Sequence, residues 1–88
     1  MTRELYISKN DLLNSYYVSN RKPDEDRRRK EFRNIDEVIE YLFSDNEVKK
    51  LRERSKLNIY LDVPSEDRKL LKPALEKFRK AKIFRARK

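Results

Sequence analysis

The chain has 88 residues, 24 of them Lys or Arg and 16 Asp or Glu, for a net charge of +8, and only 36% are hydrophobic. It contains no cysteine, histidine or glycine, which excludes thiolate metal sites, disulfides, imidazole acid–base pairs and every glycine-dependent phosphate loop or nucleophile elbow. One thinly cored domain is expected at this length.

Lys, Arg and Glu are abundant while glutamine and tryptophan are missing, a skew resembling that of proteins from hot environments, where ion-pair networks increase. No apolar run approaches the roughly 20 residues that span a bilayer, and Met1–Tyr6 lacks the apolar core of a signal peptide. A soluble, cytoplasmic protein without membrane association is the expectation.

Arg3 to Ser8 reads as a first strand with Leu5 and Ile7 inward and Tyr6 outward. Leu12, Leu13, Tyr16 and Tyr17 have helical spacing, and Ser8 with Asp11 has capping-box spacing. Asn10, Asp11 and Asn14 carry turn chemistry, and Ser15-Tyr16-Tyr17-Val18-Ser19 is rich in strand formers. The balance favours a turn followed by a strand. Residues 22–26 read as a loop. The run Arg27-Arg28-Arg29-Lys30-Glu31-Phe32-Arg33 fits an edge strand paired back onto 16–20, its bases discouraging edge-to-edge aggregation.

Asn34 is a good N-cap, with Glu37 as capping-box partner and Asp36 at the positive helix end. Ile35, Val38, Ile39, Leu42 and Phe43 form a full apolar stripe. Val48 and Leu51 would fall on the opposite side of a continuous helix, so two helices are predicted, about 35–43 and 45–54, with Ser44 and Glu47 as a second capping box. Leu57, Ile59, Leu61 and Val63 alternate with Asn58, Tyr60 and Asp62, the pattern of a half-buried strand, and Pro64 ends it. Ser65 is the expected cap of a third helix with Leu70, Leu71, Ala74, Leu75, Phe78 and Ala81 on one face, kinked or started at Pro73. Residues 82–87 read as a short last strand or docked tail.

The fold expected is a small single α+β domain: a four- to five-stranded, mostly antiparallel sheet with two or three helices on one face. Its core is drawn from Leu5, Ile7, Val18, Ile35, Val38, Ile39, Leu42, Phe43, Leu51, Leu57, Ile59, Leu61, Leu71, Leu75 and Phe78.

Charge is unevenly placed. Residues 34–48 hold five acids and no bases, whereas 69–88 hold nine bases and one acid, and 21–33 seven bases and four acids. Such clusters suit an anionic partner, most simply nucleic acid (DNA or RNA), because neutralised phosphates release counterions. The candidate contacts are Arg27, Arg28, Arg29 and Lys30 on one element. Lys77, Arg79, Lys80, Lys82, Arg85, Arg87 and Lys88 form the second group. A solvated helix face and a basic tail are the plainer reading of the same residues. Tyr6, Tyr17 and Tyr60 are candidate base-stacking rings on the sheet face away from the aliphatic residues, or side chains packed under other elements.

Asp62, Glu66 and Lys69 place two carboxylates and an amine after a strand, but acids in a first helical turn are favoured without any chemistry. A ribbon-helix-helix arrangement fails because its strand would be internal and no second helix fits after the first. A small basic nuclease of toxin type is a lesser possibility, its expected helical hairpin after the first strand being absent. No catalytic set, cofactor or metal site is expected. The sequence reads as a nucleic-acid binder of low sequence specificity. A protein-binding or self-associating module using the acidic helix (Asp36, Glu37, Glu40, Asp45, Glu47) and the basic patches is the competing reading.

Overall fold

The computed structural model describes residues 2–19, 30–54, 56–78 and 81–85. Five strands and three helices follow in the order β1 (Thr2–Asn10), β2 (Ser15–Ser19), β3 (Lys30–Phe32), α1 (Ile35–Ser44), α2 (Asn46–Arg54), β4 (Lys56–Asp62), α3 (Ser65–Leu75) and β5 (Ala81–Arg85). The sheet order is β3-β2-β1-β4-β5. The fold is α+β with all three helices on one sheet face, since Ile35, Val38, Leu42, Val48, Leu71 and Leu75 share one buried cluster with Leu5, Ile7, Leu57, Ile59 and Leu61. Among the described residues, no helix is long and apolar enough to cross a membrane.

The sheet is evenly mixed rather than mostly antiparallel. β1 pairs antiparallel with β2, and β2 with β3, whereas β1–β4 and β4–β5 are parallel. The helices between β3 and β4, and between β4 and β5, are what permit parallel neighbours, because only a crossover can return the chain in the same direction.

Local chemistry accounts for most boundaries. The β1–β2 connection is a turn in which Asn10 Oδ1 accepts from the amides of Leu12 (3.0 Å) and Leu13 (3.2 Å). Asn14 completes it at φ 51°, a left-handed conformation that asparagine tolerates and that this glycine-free chain must assign to it. Asn34 caps α1 by accepting from Glu37 N at 2.9 Å. The Glu37 carboxylate reaches back one residue further than a capping box requires, to the amide of Arg33 at 2.9 Å.

The break between α1 and α2 falls where the stripe changes side, but Asp45 makes it, not Ser44. Its extended backbone ends α1, its amide donating to Tyr41 O. Its Oδ2 then accepts from Glu47 N and Val48 N, both at 3.1 Å, the positions an N-cap serves. Asp45→Ala is expected to cost about 1 kcal/mol in urea unfolding, and Ser44→Ala less than about 0.5 kcal/mol; the reverse order would return the cap to Ser44. Ser65 likewise caps nothing: it is the first residue of α3, whose N-cap is Pro64 with no side-chain hydrogen bond. Pro73 lies inside the last turn of α3, which closes through Lys77 N to Ala74 O and Phe78 N to Leu75 O.

The core adds Tyr16, Val48 and Val63 to the expected set, while Ile39, Phe43 and Leu51 pack only partly buried at its margin. Leu70, expected on the buried face of α3, is exposed. Tyr16 is held by two neighbours. Its hydroxyl donates to Asp67 Oδ2 at 2.9 Å, and Lys9 Nζ lies 3.9 Å from that oxygen and 5.5 Å from the ring centroid. This set ties the first turn of α3 to the ends of β1 and β2.

Candidate nucleic-acid interface

Side chains alternate between sheet faces, so the registers decide what meets on the face away from the helices. Glu4, Asn58 and Lys82 form one row across β1, β4 and β5. The next row is Tyr6, Tyr60 and Phe84. Ser8 and Asp62 follow.

The aromatic row is in continuous contact. Tyr6 and Tyr60 have ring centroids 4.8 Å apart and planes 13° from parallel; for Tyr60 and Phe84 the values are 5.1 Å and 19°. Two nearly parallel rings this close cannot lie side by side in one plane, so they stand on edge, face against offset face. The spacing matches the distance between strands. The result is a three-ring ladder running across the sheet, one ring per strand. Tyr6 also donates to Glu4 Oε2 at 3.0 Å, which holds that carboxylate at the β1 end.

Tyr17 has no place in the ladder. It pairs with Ser8 and Glu31 on neighbouring strands, is only 7% exposed, and accepts from the Ser15 hydroxyl at 3.3 Å. Ser8, Ser15 and Ser19 are buried with it. The β1–β2 half of this face is therefore closed and polar, and the accessible part lies over β4 and β5. There Phe84 is 40% exposed and Lys82 is exposed.

The two basic groups are not brought together by the described residues. Lys30 is exposed on β3, at one edge of the sheet, and Lys82 and Arg85 are on β5, at the other. Four strand spacings separate those edges, about 19 Å. Within β5 the side chains divide again: Lys82 shares the ladder face, while Arg85, in register with Leu61, is on the helix-bearing face. Lys77 lies after α3, its Nζ 5.9 Å from the Phe43 ring centroid. Arg27, Arg28, Arg29, Arg79, Lys80, Arg87 and Lys88 lie outside the described residues.

A second aromatic and basic cluster sits beside Lys77. Phe43 and Phe78 meet edge to face at 5.5 Å, and the Arg52 guanidinium carbon lies 5.0 and 5.4 Å from their centroids. Arg52 Nε is buried with no hydrogen-bond partner among the described residues; the two ring faces supply its electrostatic compensation. The cluster joins the C-terminal ends of α1 and α3 to α2 and is structural in character.

Titration behaviour is perturbed at two tyrosines away from the ladder. Burial, then the hydrogen bond to Asp67 and the charges of Asp67 and Asp11, push the Tyr16 hydroxyl up to about 12. Burial, then Asp45 and Glu47, raises Tyr41 above its ordinary value. Asp62 lies on the ladder side of β4, whereas Glu66 and Lys69 are exposed on α3, which packs on the other face. The three do not converge on one point.

Sequence reasoning missed Phe84, which belongs to the ladder as fully as the tyrosines. The available signal was the order strand–helix–strand around α3, which makes β5 a parallel neighbour of β4 and sets Phe84 within reach of Tyr60. Set against known proteins, the chain matches no family model, no curated protein and no solved structure.

Proposed function

We propose that the chain is a non-enzymatic nucleic-acid-binding protein of low sequence specificity that holds phosphates through its lysine and arginine side chains. The observation that carries this reading is the exposed end of the aromatic ladder on β4 and β5, with Lys82 beside it, in a chain of net charge +8. Cations supply sequence-independent attraction to the backbone, and aromatic rings supply base contacts indifferent to sequence. Low specificity is favoured because α2, the helix with the most bases, packs on the sheet through Val48 and has its Arg52 guanidinium against the Phe43 and Phe78 rings rather than free to read bases. The run 27–30 is the second phosphate contact in this reading.

Replacing Arg27, Arg28 and Arg29 together by alanine is expected to weaken binding and to flatten the plot of log affinity against log salt by up to about three contacts' worth. Fluorescence anisotropy with a labelled oligonucleotide over a salt series measures both. Unchanged affinity and slope would remove that run from the interface.

A specific observation favours a second reading, a protein-binding module. Leu12 and Leu13 are 96% and 67% exposed at the β1–β2 turn, next to a cleft of about 410 Å³ lined by Leu13, Asn14, Phe32 and Glu37 among others. Apolar side chains beside an acidic helix suit a basic protein surface. Absence of salt-dependent nucleic-acid binding would make this the leading reading.

A further inference from the structure

We infer that the outer face of the Phe84 ring is a stacking site for one unpaired nucleobase, so that the interface selects single-stranded nucleic acid; this rests on the reading just given. The ladder geometry supplies the argument. Tyr60 stands between Tyr6 and Phe84, so both of its ring faces are occupied. Phe84 presents one face to Tyr60, while β5 is the last strand of the sheet, so among the described residues no strand-borne ring lies beyond it. Its 40% exposure belongs to a ring that is covered on one side and rooted in the sheet. A fourth flat ring placed there continues a spacing already repeated twice.

A nucleobase fits that position better than an aliphatic or a polar group, because it offers a flat π-face on any of the four bases. Charge around the ring agrees. Lys82, two residues earlier on β5 and on the same face, is placed for the phosphate attached to the stacked base, with Asn58 beside it. The acids lie away from that end: Glu4 is two strands inward and accepts from Tyr6, and Asp62 is on the far side of Tyr60 from Lys82. Bases inside a duplex already have both faces stacked and cannot reach Phe84 without being unpaired. Tyr6 and Tyr60 thus act as support for the ring that makes contact.

The experiment is anisotropy with a labelled single-stranded oligonucleotide, a closed duplex of equal charge, and a single strand of the same length made of abasic sugar-phosphates. Each is titrated with the wild-type chain, Phe84→Ala, Phe84→Tyr and Lys82→Ala. Phe84→Ala is expected to weaken the base-bearing single strand about tenfold without changing the salt slope, and Phe84→Tyr to restore it. Lys82→Ala is expected to lower the slope by about one. On the wild-type chain the abasic strand should bind about tenfold more weakly than the base-bearing one, a comparison that needs no variant to fold. The duplex should be indifferent to Phe84→Ala.

Equal affinity for abasic and base-bearing strands, with a normal salt slope, would overturn the base site and leave phosphate binding standing. No salt-dependent binding of any of the three by the wild-type chain would overturn both.

Discussion

Ile59→Ala is expected to lower the unfolding free energy by about 3–4 kcal/mol, the range found for truncating a fully buried aliphatic side chain. Ile59 has no solvent exposure and stands in register between Leu5 on β1 and Ile83 on β5. Leu5 and Ile83 are held on the flanking strands, so the surroundings can relax only partly into the space left. A domain of this length has a total stability of roughly 4–13 kcal/mol, so the loss is a large fraction of the whole. Urea unfolding followed by circular dichroism measures it, with Leu12→Ala as the contrast. That side chain is 96% exposed, and its truncation should stay within about 0.5 kcal/mol. A loss under about 1 kcal/mol at Ile59 would be incompatible with β4 lying inside the sheet.

The second large effect is a loss of stability at high pH that depends on a single hydroxyl. In the unfolded chain the Tyr16 phenol releases its proton near its ordinary value of about 10. In the folded chain burial, Asp67 and Asp11 hold that proton up to about 12. The folded state therefore binds the proton more tightly, and the stability this represents is present below pH 10. It is lost as pH climbs from 10 through 12, to a limit of about 2–3 kcal/mol. Lys9 faces both the ring and Asp67, so the comparison must be with Tyr16→Phe, which keeps that neighbour in place. At pH 9 that variant should be less stable by about 1 kcal/mol, the worth of the lost hydrogen bond. With rising pH the wild type should fall more steeply, and the two curves should cross. Curves that run parallel from pH 9 to 12 would refute the assignment.

What the sequence made legible was local. The alternation of Leu57, Ile59, Leu61 and Val63 identified β4 because period-2 burial needs no knowledge of the partner strands. Asn10, Asp11 and Asn14 identified the turn because these are turn-forming residue types: the Asn10 side chain accepts from amides two and three residues on, and Asn14 takes the left-handed conformation. The break between α1 and α2 was visible as a change in the face of the apolar stripe, although the choice between Ser44 and Asp45 as cap depends on where the chain bends and was missed. Pairing was not legible. Nothing in residues 81–85 alone says that Phe84 lies opposite Tyr60, since parallel register is set by the length and packing of α3 between them. The basic residues show the same limit from the other side. Their clustering along the chain suggested two coherent patches, yet strand alternation divides Lys82 from Arg85, and sheet order sends β3 and β5 to opposite edges. Among the described bases of those runs, Lys82 is the one whose register places it on the ladder face.

The central position of β1 bears on how the sheet can be assembled. Its rungs with β2 begin with Asn10 and Ser15, five residues apart, and widen to Tyr6 and Ser19, thirteen apart. Each rung formed brings the next within reach, so this pairing zips outward from the turn. With β4 every rung joins residues 54 apart, from Thr2–Lys56 to Ser8–Asp62. A parallel ladder has no near end, and loop closure costs the same at each step. Hydrogen bonding has no place to start there. The association of β1 with β4 must instead be nucleated by side chains, Leu5 and Ile7 meeting Leu57, Ile59 and Leu61, with the backbone ladder following their contact.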